Sequence, residues 1–222
     1  MNTAQPQPSW PQTTLSLICE KITDGSHNPP KKQSTGLPML SAKNIKDREI
    51  NFSEGFRLIS KEDFEQETKR TQVKEGDVLL TIVGALGRPA IVEQSHLPLT
   101  LQRSVAVLKP SNAINSKYLC YALEAPEVQS FINKNAKGTA QKGIYLKTIG
   151  TISIPLAPLN EQRRIADKLD STLAAVEACK QKLNSAAETI KRFRQSVLAA
   201  AASGELTREW REERGIEGEW QL

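Results

Sequence analysis

Between residues 158 and 203, apolar or small side chains recur at alternating spacings of four and three, and few folds accommodate such a pattern. The register runs Ile165, Leu169, Thr172, Val176, Cys179, Leu183, Ala186, Ile190, Phe193, Val197 and Ala200. Held over about five heptads, it exceeds the three or four repeats that mark a coiled coil. A helix of roughly 40 residues is about 60 Å long at 1.5 Å per residue. Pro155 and Pro158 bar an earlier start, and Asn160 is the expected N-cap with Glu161 in the first turn. Gly204 stands where a C′ glycine would end the helix, after a C-terminal half rich in Lys191, Arg192 and Arg194. Thr172, Cys179, Ala186 and Ala200 make the seam a close-packing one rather than a bulky zipper. Leu173 beside it widens the stripe towards a third helix or a docked partner. The alternative is a long helix packed on its own domain. The many charges off the seam argue against it.

A chain of 222 residues holds one good-sized domain besides this helix. Cys19, Cys120 and Cys179 are widely spaced, and neither His27 nor His96 clusters with them. That pattern predicts neither a disulfide framework nor a metal site, and it points to a reducing, cytoplasmic setting. Residues 1–9 are rich in proline and glutamine and read as a flexible N-terminus without an export signal. No apolar run is long enough for a membrane span.

The formal net charge is +5, and its placement says more than its size. Residues 25–46 contain Lys31, Lys32, Lys43 and Lys46 and no acid. Residues 94–123 contain Arg103, Lys109 and Lys117 and no acid. Residues 128–160 contain Lys134, Lys137, Lys142 and Lys147, again without an acid. Three such segments suggest a surface that faces a polyanion, although solvated lysines alone could produce the same counts.

Residues 10–157 read as a chain of short, interleaved elements. Leu15 to Ile22 predicts a strand or short helix, followed by a turn-forming loop from Asp24 to Pro30. Leu37 to Leu40 is a short strand. Ser60 and Asp63 have capping-box spacing and open a helix through Arg70. Val78 to Val83 is the strongest strand, and Gly84 to Gly87 turns it back into Pro89 to Glu93 as a hairpin. Ser104 to Leu108 is another strand, Ser116–Glu124 and Glu127–Asn135 are helices separated by Pro126, and Thr151 to Ile154 is a last strand. The expected fold is an α/β (α+β) globular domain over 10–157, a long coiled-coil-forming α-helix over 158–203, and a tail over 204–222.

Five ordered stretches resemble a known family. They are Asp24-Gly25-Ser26-His27-Asn28-Pro29-Pro30, Glu75-Gly76-Asp77-Val78-Leu79-Leu80-Thr81 with Gly84 and Gly87, and Gly138-Thr139-Ala140-Gln141 with Ile144. The others are Ile152-Ser153-Ile154-Pro155 running through Glu161-Gln162-Arg163-Arg164-Ile165, and Ser203-Gly204-Glu205-Leu206-Thr207 with Trp210-Arg211. Together these resemble the specificity subunits of type I restriction–modification enzymes. Such subunits usually carry two target-recognition domains and two conserved helices. This chain has one of each and no internal repeat, so it looks like a half-length form.

The resemblance implies a non-catalytic DNA-reading subunit that docks methyltransferase (modification) subunits and restriction/motor subunits. It implies no cofactor in this chain, with S-adenosylmethionine, ATP and Mg in the partner subunits. Two copies would pair as an antiparallel homodimer through Ile165, Leu169, Thr172, Val176, Cys179, Leu183, Ala186, Ile190, Phe193 and Val197. A symmetric pair would suit a symmetric, bipartite target. The residues agree on catalysis. Asn28-Pro29-Pro30-Lys31 resembles an adenine-methyltransferase motif but puts Lys31 where an aromatic would stack on a flipped base. Glu67-Thr68-Lys69 lacks the remaining carboxylate of a nuclease site, and Gly84 with Gly87 suits a hairpin turn better than a phosphate loop.

Reading double-stranded DNA requires donors and acceptors matched to base edges, and cations for phosphate. The candidates are His27, Lys31, Lys32, Lys43, Asn44, Arg88, Gln102, Arg103, Lys137, Thr139, Gln141 and Lys142, all on expected loops or loop–strand junctions. His27 serves equally well as a turn-stabilising residue beside Asp24 and Ser26. A competing reading makes the chain a coiled-coil adaptor or inactive truncated subunit that binds partners without reading DNA.

Overall fold

The computed structural model describes residues 10–138 and 141–215. The chain divides into two compact units, residues 1–167 and 168–222. In chain order the first unit contains β1 (Gln12–Thr14), α1 (Leu15–Ile18), β2 (Cys19–Asp24), β3 (Leu37–Leu40), β4 (Ile45–Lys46), β5 (Glu49–Ile50) and β6 (Arg57–Ile59). There follow α2 (Lys61–Thr71), β7 (Val78–Thr81), β8 (Pro89–Ile91), β9 (Thr100–Leu101) and β10 (Val105–Pro110). It closes with α3 (Ser116–Glu124), α4 (Pro126–Asn135), α5 (Leu146–Gly150), β11 (Ser153–Pro155) and the start of α6 (Leu159–Ala202).

The centre is a four-stranded antiparallel sheet in the order β2-β10-β7-β8. Val78, Leu80, Ala106 and Leu108 pack on one face with Leu15, Tyr118, Leu119, Leu123 and Ile149. Leu79, Val105 and Val107 pack on the other with Leu40, Ile45, Leu99 and Leu101. Both faces are covered. That is why β7 reads as an unbroken apolar run rather than alternating with polar residues. A smaller sheet, β6-β3-β9, has β3 antiparallel to β6 and parallel to β9. Far ends of the domain meet where β1 pairs with β11.

Local signals mark several boundaries. The Ser60 hydroxyl accepts from the Asp63 N–H at 3.1 Å and starts α2. The Asn115 side chain accepts from the Tyr118 N–H and starts α3. Pro126, expected to separate two helices, does not. It is the first residue of α4, where its missing N–H costs nothing, and Ala125 makes the break.

The helix α6 is continuous for 44 residues, about 66 Å at the standard rise. Its start differs from expectation. Asn160 lies inside the first turn, and the Pro158 carbonyl accepts from the N–H groups of Glu161 and Gln162 at 2.8 and 2.9 Å. The opening turns belong to the domain. Gln162 is wholly buried, accepts from the Asn115 N–H at 2.8 Å, and donates to the Ala113 and Ala157 carbonyls at 3.0 and 2.8 Å. Ile165, expected in the seam, packs instead against the domain's own core, because the α6 face that carries Gln162 and Ala166 is already turned inward.

In the second unit the helix is exposed, and Gly204 ends it in a left-handed conformation at φ 75°. A short turn over Glu205–Thr207 leads to α7 (Arg208–Glu213). No helix among the described residues is long and apolar enough to cross a membrane.

Candidate nucleic-acid interface

The loop after β2 is pinned by a glycine. A Cβ on Gly25 would sit 2.1 Å from the Leu101 carbonyl oxygen, so no other residue lets the backbone lie so close. The loop is then stitched down: Gly25 N–H donates to Val105 O, Ser26 N–H to Leu101 O, and Arg103 N–H to Ser26 O. These bonds set His27 beside Gln102 and Arg103, residues some 75 positions apart in sequence.

Three further segments arrive by similar means. The Ser104 hydroxyl accepts from the Ala42 N–H at 3.0 Å and holds the 3-10 turn over Ala42–Asn44, which carries Lys43. Gly84 and Gly87, at φ 80° and 76°, let the β7–β8 hairpin turn, and Arg88 follows it. The Arg88 N–H donates to the Thr81 hydroxyl at 2.9 Å. Gly84 N–H donates to Lys142 O, and Lys137 and Gly143 exchange two backbone bonds of 2.8 Å. That turn brings the Gln141 amide to within 3.1 Å of where a Gly84 Cβ would be.

The segments enclose an open cleft of about 560 Å³. His27, Lys43, Arg88, Gln102, Arg103 and Gln141 all line it, with Ser26, Ser41 and Ser104 between them. Its described lining holds three permanent cations and no carboxylate, so the cleft concentrates positive potential where low-dielectric walls focus it. The cations and amides are the donor set that phosphates and base edges require.

The other sequence candidates fall elsewhere. Asn44 is corrected to a structural residue with no exposed surface. Its Oδ1 accepts from the Ser41 N–H at 3.0 Å and its Nδ2 donates to the Asn51 carbonyl at 3.1 Å, so the buried amide is engaged in closing a turn. Lys31 and Lys32 are exposed outside the cleft, as are Lys137 and Lys142. Thr139 and residues 1–9 lie outside the described residues. Within the basic segment 94–123, Lys109 is committed internally, donating to Asp77 at 2.6 Å and to the Gln72 carbonyl at 2.8 Å. Burial pushes the Cys19 and Cys120 thiols up to about 12, so neither is a nucleophile near neutral pH.

Sequence reasoning missed Ser41 and Ser104, which carry no distinguishing signal, and Arg70, which reaches the Asp24 carboxylate from the last turn of α2.

A second exposed surface lies on α6. Val176, Leu183, Ile190 and Phe193 are 57%, 71%, 68% and 69% exposed, and Val197 is 36% exposed. They repeat at the expected seam positions. An apolar stripe of this kind on a solvated helix normally marks an interface.

Comparison with known proteins follows the same outline. Residues 10–188 match the Type I restriction modification DNA specificity domain family. The chain is 30% identical over 208 residues to the EcoBI specificity subunit of Escherichia coli, covering 92% of this chain and 43% of that one. It is 26% identical over 216 residues to the StySPI specificity subunit of Salmonella potsdam, covering 93% and 45%. Among solved structures, the HsdS subunit from Thermoanaerobacter tengcongensis aligns with a TM-score of 0.63 at 25% identity, over 90% of this chain and 46% of that one. The chain spans less than half the length of these relatives. It belongs to the family of type I restriction modification DNA specificity domains and carries one recognition domain followed by a long helix.

Proposed function

We propose that this chain is the sequence-specific, non-catalytic DNA-reading subunit of a type I restriction–modification complex. The cleft reads one half of a bipartite double-stranded target. The observation that carries this reading is the convergence of Lys43, Arg88, Arg103, Gln102 and Gln141 on one cleft with no acid in its described lining. Lysine and arginine supply salt-sensitive contacts to phosphate, and arginine and glutamine also discriminate guanine and adenine edges.

Two copies pair in antiparallel fashion through the α6 seam, and the paired helices set the gap between two half-sites. The exposure of Leu183, Ile190 and Phe193 supports this part. Methyltransferase subunits dock on the assembly and bring S-adenosylmethionine. Restriction/motor subunits bring ATP and Mg. This places the chain in the cytoplasm with its DNA.

The same seam would serve an adaptor that binds partner subunits without reading DNA, so the test must separate the two. Residues 10–157 are exchanged for the recognition domain of another family member, and methylation is mapped in the reconstituted complex. A changed methylated sequence supports the reading. An unchanged one, with the complex still assembled, leaves the adaptor.

A further inference from the structure

The exposed length of α6 carries a size pattern that heptad spacing alone does not require. One column of the seam is bulky throughout: Leu169, Val176, Leu183, Ile190 and Val197. The other is Thr172, Cys179, Ala186 and Ala200, with Phe193 its one large member. From Thr172 to Val197 every seam position is exposed, so the space beside the small side chains is open to a partner.

Parallel and antiparallel pairing use the two columns differently. In a parallel pair each column meets itself. Ala186 would face Ala186 and Ala200 would face Ala200, leaving gaps where dispersion contacts are lost. In an antiparallel pair each column meets the other, so large faces small and the layers interdigitate.

Sliding one antiparallel copy along another in heptad steps leaves one register that uses the whole seam. It pairs Leu169 with Ala200, Thr172 with Val197, Val176 with Phe193, Cys179 with Ile190, and Leu183 with Ala186. Each layer occurs twice, and the twofold axis passes between Asn184 and Ser185. A one-heptad slip in one direction would set Val197 against Ile165 and Ala200 against Gln162. Both are already committed to the domain, Ile165 against its core and Gln162 wholly buried. A slip in the other direction would set Leu169 against Thr207 and Thr172 against Gly204. Those residues lie beyond Ala202, where α6 ends.

The charges beside the seam single out the same register. In it Lys168, Lys180, Lys182 and Arg194 face Ser203, Ala187, Thr189 and Leu173, and the Arg194 stem can cover the leucine. The first slip opposes Lys180 to its own counterpart and Lys182 to its own. The second opposes Lys180 to Arg194. Like charges at such flanking positions repel and select against a pairing.

We propose that α6 docks on α6 of a second copy in this single antiparallel register, with Asn184 and Ser185 at the axis. The inference rests on the pairing of two copies proposed above and adds which residues meet. A one-heptad slip would shift one helix past the other by about 10 Å, roughly three base pairs of duplex. One register therefore means one gap between half-sites.

Cys179 reports the register, because it is exposed while Cys19 and Cys120 are buried. The experiment oxidises the full 222-residue chain beside Ile190→Cys, Leu183→Cys and Val197→Cys, and resolves covalent dimers on denaturing gels. Ile190→Cys is expected to run mostly as covalent dimer, linked from Cys179 of one copy to position 190 of the other. The wild type, Leu183→Cys and Val197→Cys stay largely uncross-linked, since a thiol one heptad away lies about 10 Å further than a disulfide spans. Val176→Cys with Phe193→Cys in a Cys179→Ser background tests the adjacent layer and is expected to cross-link as well.

Covalent dimer with Leu183→Cys or Val197→Cys instead overturns the register in favour of a slip. Covalent dimer of the wild type through Cys179 overturns the antiparallel direction. A dimer in sedimentation that links in none of these variants also overturns the register. A wild type that sediments as a monomer at every concentration overturns the pairing of two copies itself.

Discussion

The first unit and the exposed length of α6 obey opposite rules. In the domain, Leu79, Leu80, Leu119 and Leu123 have no exposed surface, and both faces of the central sheet are covered. On the helix, Leu183, Ile190 and Phe193 stand more than two-thirds exposed. A domain of this kind carries its own core. The helix borrows one from whatever covers its seam, because isolated helices draw most of their stability from tertiary packing of an apolar face. Substitutions should therefore separate cleanly: domain changes alter folding and reading, and seam changes alter association.

The largest expected effect is on the seam. If two copies pair through the seam as proposed, Leu183→Glu removes about 1.5–3 kcal/mol of burial from each of them and adds the desolvation of a charge. Self-association should weaken by about two to four powers of ten, while the thermal transition of the first unit stays in place. Sedimentation velocity across a concentration series reads this directly. An unchanged dimer would remove residue 183 from the seam.

Next comes the domain core. Leu119→Ala should cost about 2–5 kcal/mol, the usual range for a buried leucine, measured by urea unfolding of the first unit. Gln162→Ala tests the border between the two regimes. It leaves the Asn115 N–H and the Ala113 and Ala157 carbonyls without their partner, at about 1–3 kcal/mol for a buried group left unsatisfied. Because Gln162 sits on α6 but inside the domain, its loss should lower domain stability and leave helix pairing intact. A change in association alone would put the boundary in the wrong place.

The smallest effect is electrostatic. Lys43→Ala with Arg103→Ala should reduce the slope of log K against log salt by about two, near 0.9 for each phosphate no longer neutralised. Lys31→Ala with Lys32→Ala, outside the cleft, is the matched comparison. A larger change from that pair would move the phosphate path off the cleft and onto the loop.

How much of this was legible depended on how local each signal is. The Ser60 cap, the glycine-turned β7–β8 hairpin and the long helix rest on residues within a few positions of one another, and sequence reading located all three. Strands β4, β5 and β9 have two residues each, too short for any period to register, and they exist because distant segments pair with them. The β1–β11 pairing joins segments about 140 residues apart and leaves no local trace.

The cleft was half legible for the same reason. His27, Gln102 and Gln141 stood out as polar residues on loops or loop–strand junctions. Asn44 looked the same in sequence, yet three-dimensional packing turned its amide inward to close a turn. Arg70 was invisible because its partner, Asp24, lies 46 residues earlier. Ile165 kept the heptad register and still went to the domain, since periodicity says which face is apolar but not what covers it.

Single-molecule methylation mapping tests the central claim most directly. DNA is taken from cells that carry the methyltransferase partner and either the wild-type chain or its Gln102→Ala, Arg103→Ala variant. With the cleft as the reader, the wild type gives a bipartite, symmetric motif, and the variant loses selectivity at the same position in both halves. A motif identical in the two strains, with methylation undiminished, would contradict it.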